Sequence, residues 1–356
     1  MYQRYKQLAV LAVAFAVAAC SDTLSVGEEA FDADLTSQDL AAVDSIFDTE
    51  AFKSLKALGG QFNIAGPPAM ASAELLRAAA HPSEPGNTAR IEAAARQIQM
   101  AMAANAAVEL IPQQYRGLVL KFVPGEGYVV DETLTGPSNG IRFLLYAVNP
   151  VTDEIAEPLN EIGYADLLDE STDQTAAVRL VVVSGEVTFI NYLVSANGPP
   201  TAPSFSIAGF VTDGEVTVDF DLTVAVQTNI GGTSIDIDYA IDVADRDFHV
   251  VLDLSVVMTS EGSSSTSLDI SISHGRNTVR VAGELTNDMG TVKVFGNGEL
   301  FATITLTETS LTIVNANGDP LSDREKRVLR EIMDFVDEVF DVWESLFNPV
   351  EFLFSF

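Results

Sequence analysis

Val216-Thr-Val-Asp-Phe-Asp-Leu-Thr-Val-Ala-Val-Gln227 is apolar at every even position and polar or small at every odd one. Successive side chains of a strand point to opposite faces. The period of two therefore places Val216, Val218, Phe220, Leu222, Val224 and Val226 on a buried face, and Thr217, Asp219, Asp221, Thr223, Ala225 and Gln227 on a wet one. The pattern continues downstream. Ile235, Ile237, Tyr239, Ile241 and Val243 alternate with Asp236, Asp238, Ala240 and Asp242, and Phe248, Val250, Leu252, Leu254, Val256 and Met258 follow, then Leu268, Ile270 and Ile272. Glycine-containing breaks separate the segments: Gly231-Gly232, Glu261-Gly262, His274-Gly275 and Asn297-Gly298, the last being a strong hairpin signal.

Strand-and-turn character extends from Tyr115 to Asn315, and no helical pattern is interleaved among the later strands. That argues against βαβ units and predicts an antiparallel meander. A sheet of about ten twisted strands tends to curl or close. Gly185-Glu-Val-Thr188, Gly214-Glu-Val-Thr217, Gly283-Glu-Leu-Thr286 and Gly298-Glu-Leu-Phe301 echo one another, each read as a strand start after a glycine. The irregular period marks shared turn chemistry, not a domain repeat.

Helical signals flank the sheet. Thr36 or Ser37 caps a helix carrying Leu40, Val43, Ile46 and Phe47, and a second runs from Thr49 to Leu58, stopped by Gly59-Gly60. Pro67-Pro68 sets up a third, and Asn87 caps an Ala-rich helix reaching Val108, with Met100, Met102 and Ala103 as candidate lining for an apolar space. At the other end Ser322-Asp-Arg-Glu325 is a capping box. It opens an amphipathic helix whose apolar stripe includes Leu329, Ile332, Phe335, Val339 and Trp343, the single tryptophan. The expected fold is α+β: a long antiparallel β-meander, curved or partly closed, with N-terminal helices and one C-terminal amphipathic helix packed on it.

Lysine plus arginine number 19 against 51 aspartates and glutamates, a formal net charge of −32. Such a chain repels nucleic acid and anionic headgroups. Hydrophobic residues make up 47%, ample for a core, so disorder is not the default.

The N-terminus carries Arg4 and Lys6, then an apolar run from Leu8 to Ala19, then Cys20, the only cysteine. The run is too short for a spanning helix and has the shape of an export signal. Val17-Ala18-Ala19-Cys20 resembles the lipobox of a bacterial lipoprotein signal peptide. The resemblance implies cleavage before Cys20, lipidation of that residue with palmitate or a similar acyl chain, and, from Ser21, an outer-membrane address facing the periplasm or the cell surface. The alternative is an ordinary secretory signal with an incidental cysteine. Either way no thiol remains in the body for a disulfide or a thiolate metal site. The chain then divides into a signal peptide (1–19), a lipidated cysteine with an acidic tether (20–35), a helical segment (36–110), the antiparallel β domain (111–316), and the C-terminal helix with an aromatic tail (317–356).

Candidate chemistry is sparse. His81, His249 and His274 show no zinc spacing, and no Gly-x-Ser-x-Gly elbow marks a nucleophile. Asp219, Asp221, Asp236, Asp238, Asp242, Asp253 and Asp269 share the polar register and form an acidic field. It reads as a solvated face rather than a calcium site, because no spaced Asp/Asn loop with its glycine accompanies it. Asp169-x-Ser171-x-Asp173 imitates half such a loop without the glycine or the terminal glutamate. Gly125-Glu-Gly127 is a hairpin-type turn, not a phosphate loop. Phe352, Phe354 and Phe356 resemble the terminal signal of outer-membrane barrels, but the seven residues after Pro349 are too few for a spanning strand. No catalytic residue, cofactor or metal is expected, and no enzyme.

Architecture and address together resemble the half-barrel lipoprotein carriers of the cell envelope, which fold an antiparallel sheet around helices and hold acyl chains in the gap. That implies a lipid or other apolar ligand between sheet and helices. The alternative is a structural or interaction lipoprotein with a filled core and no ligand. No ligand residue is carried over, so the membrane, reached through Cys20, is the one named partner.

Overall fold

In the computed structural model the described residues are 41–58, 93 and 110–336, apart from 44, 153, 200, 288, 308 and 335. Helix α1 (Glu50–Leu58) begins one residue after the expected start and turns Ala51, Phe52, Leu55 and Leu58 inward. Its buried Ser54 hydroxyl accepts the main-chain N–H of Tyr146 at 3.1 Å, which ties the helix to the sheet. Just before it Val43 and Ile46 are fully buried, and Phe47 meets Phe52 edge-on at 5.2 Å.

The described residues form one sheet of 15 strands. A hairpin, β1 (Val119–Val123) and β2 (Gly127–Val130), leads into β3 (Gly140–Tyr146), β4 (Glu161–Asp169), β5 (Thr175–Ser184), β6 (Val187–Asn197) and β7 (Ser204–Thr212). There follow β8 (Thr217–Asn229), β9 (Gly232–Val243), β10 (Phe248–Thr259), β11 (Ser264–His274), β12 (Asn277–Thr286), β13 (Met289–Gly296), β14 (Glu299–Leu306) and β15 (Leu311–Asn315). From β3 to β15 each strand pairs antiparallel with the next in sequence, the expected meander.

One feature departs from the expected meander. The chain crosses back after β2, so β1 lies parallel to β3 and β2 forms the outer edge. The sheet is open, ending at β2 and β15. Both edge strands are short, and the outer side of β15 is partly occupied by a bridge from Val314 to Pro320. Two short edges, one of them partly blocked, present few free main-chain groups, so closure is not needed to protect them.

The buried face follows the sequence period. Val218, Phe220, Leu222, Val224 and Val226 of β8 are buried, as are Ile235, Ile237, Tyr239, Ile241 and Val243 of β9. Three of the four echoed glycines precede strands at positive φ: Gly185 (60°), Gly214 (98°) and Gly298 (82°). Gly283 does not. It lies inside β12 between Leu268 and Val292, where a Cβ would press on the Val292 side chain at 2.8 Å. That glycine is there for close packing, so only the turn members of the echo share a cause.

The capping box is formed as read. Glu325 accepts the Ser322 N–H at 2.6 Å, and the Ser322 hydroxyl accepts the Glu325 N–H at 3.2 Å. These bonds hold the Glu325 carboxyl below its ordinary range. The helix so started covers 323–334, with Leu329 and Ile332 buried in the same core as the sheet. Phe335, Val339 and Trp343 lie outside the residues whose side chains are described, as do the third and Ala-rich helices and the aromatic tail.

Candidate functional site

The expected acidic field is assembled by strand register. Asp238, Asp253 and Asp269 are direct neighbours on β9, β10 and β11. Asp219, Asp242 and His249 form a parallel row on β8, β9 and β10. Asp221, opposite Ala240, lies between the two rows, and Asp236, opposite Ser255, lies beyond the first. Like charges directly opposed weaken a sheet, so each needs a partner or a cost is left standing.

Several are paired. Arg280 of β12 forks onto both carboxylate oxygens of Asp269, 2.8 Å on one side. The Ser255 hydroxyl donates to Asp236 at 2.7 Å. His249 Nδ1 lies 2.8 Å from Asp242, and Nε2 lies 3.4 Å from Asp247, a residue at φ 51° in the β9–β10 connection. Asp238 keeps an opposing carboxylate instead. Partial burial, then Asp253 and Asp236, push its carboxyl above the ordinary range. Partial burial and Asp242 do the same to Asp219. Among the described residues no three or more histidines, cysteines, aspartates or glutamates are placed to hold a metal ion. His274 closes β11 opposite Phe248 and Asn277, apart from this row. His81 lies outside the described residues, as do Cys20, Met100, Met102 and Ala103.

The half-loop at Asp169 has a different role. Its side chain is 4% exposed, and Oδ2 accepts Arg116 Nη2 at 2.9 Å and the Ile111 N–H at 3.2 Å. Oδ1 accepts the Ser171 N–H at 3.0 Å, and the main-chain carbonyl accepts Asn139 Nδ2 at 3.1 Å. A carboxylate so engaged fastens the chain entering the sheet to the end of β4. Nothing in the sequence announces this latch, because its partners lie 53 and 58 residues away.

Other pairs were equally silent. Arg142 of β3 grips Asp166 of β4 through two bonds of 2.6 and 2.7 Å, its guanidinium 3.7 Å from the Tyr164 ring centroid. That geometry unites a bidentate ion pair with a cation–π contact. Arg179 joins Glu170 and Asn191 across β5 and β6. The outer face thus divides: arginine-bridged and mixed over β3–β6, acidic over β8–β11.

The chain matches no known family model, no curated protein and no solved structure. Among the described residues no helix is long and apolar enough to cross a membrane.

Proposed function

We propose that this chain is a lipid-anchored protein of the bacterial cell envelope, a structural or interaction module with a filled core that presents its acidic outer face to partners. The address rests on the basic start, the short apolar run and Val17-Ala18-Ala19-Cys20. The reading of the body rests on one observation. Ile207, Leu222, Ile237, Val250 and Ile270, on the inner face of five central strands, are at most 2% exposed, buried by the chain itself. Interiors packed at crystal-like density leave no room for an acyl chain without displacing protein.

A second reading is a carrier of a lipid or another apolar ligand. It is favoured by the continuity of the apolar face, one cluster running from Ile141 of β3 to Ile304 of β14. Such a ligand enters only if a covering element parts from the sheet.

Native mass spectrometry of the full chain, purified from membranes in mild detergent, separates the two. The filled core gives the mass of the acylated polypeptide alone. A lipid that stays bound after the detergent is stripped would overturn that reading in favour of the carrier. Cys20→Ala should release the protein from the membrane fraction, and retention after high-salt washing would refute the anchor.

A further inference from the structure

Four asparagines precede glycine in this chain: Asn139, Asn197, Asn297 and Asn317. An Asn-Gly bond is chemically labile, because the unhindered glycine nitrogen can attack the asparagine side chain. The fold protects these four bonds unequally.

Asn139 donates its amide to the Asp169 carbonyl at 3.1 Å, and Gly140 is buried with its N–H donated to Pro137 at 3.0 Å. Asn197 is exposed as well, but it closes β6 between two partners, Thr175 and Ser204, so its main chain is held extended. Asn297 makes a two-point clamp on β12: its N–H donates to the Thr278 carbonyl at 2.8 Å, and its Oδ1 accepts the Thr278 N–H at 2.8 Å. Asn317 differs. It stands exposed in the turn after edge strand β15, outside any ladder, and no partner for its side-chain amide is found among the described residues. One turn bond, Gly318 N–H to the Asn315 carbonyl at 3.0 Å, restrains the nucleophile. Exposed turn bonds, even in a turn also braced by the Asn315 side chain and the Val314–Pro320 bridge, open more often than a paired ladder does.

We propose that Asn317 is a site of spontaneous deamidation, selected over the other three Asn-Gly bonds by the fold. The Gly318 nitrogen loses its proton to solvent base and bonds to Cγ of Asn317. The Cγ–amide bond breaks, and the amide nitrogen leaves as ammonia after taking a proton. Water then opens the resulting succinimide at either carbonyl, leaving aspartate or isoaspartate. The net change is one water consumed and one ammonia released.

The position gives the reaction a structural consequence. Asn315 Oδ1 accepts the N–H groups of Asn317 and Asp319, at 3.0 and 3.1 Å, and Asn315 Nδ2 donates to the capping Glu325 at 3.3 Å. Isoaspartate adds a methylene to the main chain inside this turn and pulls these bonds out of register. The junction between the last strand and the C-terminal helix therefore loosens with age.

The test is peptide mapping by mass spectrometry of the full chain, held folded at mildly alkaline pH, beside a urea-unfolded sample. The folded chain should convert Asn317 severalfold faster than Asn139, Asn197 and Asn297, giving both aspartate and isoaspartate. The unfolded sample should convert all four at comparable rates. Faster conversion at any of the other three in the folded chain, or equal rates at all four, would overturn the proposal. So would an unreacted Asn317 in a folded chain whose unfolded control reacts.

Discussion

Gly209 of β7 lies between Tyr192 of β6 and Phe220 of β8, and those two rings meet edge-on above it at 4.9 Å. Its φ of 154° and the close Asn191 carbonyl leave no room for a Cβ. Bare glycine in a strand is weak, and aromatic neighbours closing over it restore the packing. Gly209→Ala should therefore destabilise the protein by roughly 1–3 kcal/mol, the usual cost of a disallowed backbone or displaced carbonyl. The urea midpoint measures it, and an unchanged midpoint would refute the account. The Tyr192 hydroxyl beneath this cluster is fully enclosed, and burial drives its ionisation well above the ordinary tyrosine range. None of this is legible along the chain: Gly209 resembles any other glycine until the register brings Tyr192 and Phe220 to its sides.

The C-terminal helix depends on local chemistry that can be read directly. Ser322 and Glu325 satisfy each other's main-chain N–H groups, as the Ser-x-x-Glu spacing dictates. Ser322→Ala should cost about 0.5–2 kcal/mol, the normal worth of an N-cap, visible as a lower melting temperature. No change would mean that packing of Leu329 and Ile332 alone sets the helix start. Strands β8 to β11 were equally legible, because one face is buried and the other wet. The β1–β3 parallel pair was not, since periodicity assigns faces and not neighbours. Its cause is tertiary: Asp131 N–H bonds to Val119, and Gly136 N–H to Gly117, folding the connection back across the hairpin.

Across the whole molecule, charge sets the response to pH. Asp219 and Asp238 have folded-state ionisation raised by burial and by neighbouring carboxylates. Groups raised on folding are best accommodated below their unfolded value, and that stability is lost as pH rises through the folded one. Asp131 works in the opposite sense. Bonds from the Thr133 hydroxyl and Lys121 hold it down to about 2, so its contribution exists at neutral pH and is lost only as pH falls toward that value. Asp238→Asn should therefore raise stability at neutral pH, by at most about 1 kcal/mol given solvent screening. The gain should shrink as acid protonates the native aspartate, and also with added salt. Melting temperatures of the two proteins across pH and ionic strength provide the check. A variant less stable at neutral pH would mean that Asp238 has a stabilising partner instead.

The β-rich class, the extent of the strand region from Tyr115 to Asn315, the inward register of its central strands, α1, and the cap of the last helix are all written in the order of residues along the chain. All of these follow from local sterics and from the two-residue and 3.6-residue periods of burial. The open sheet, the crossover that makes β1 parallel to β3, the Arg116–Asp169 latch, and which carboxylates of the acidic field face one another emerge first in three dimensions. Each depends on residues distant in the chain becoming neighbours, and register between strands is a property of their pairing that neither strand carries alone.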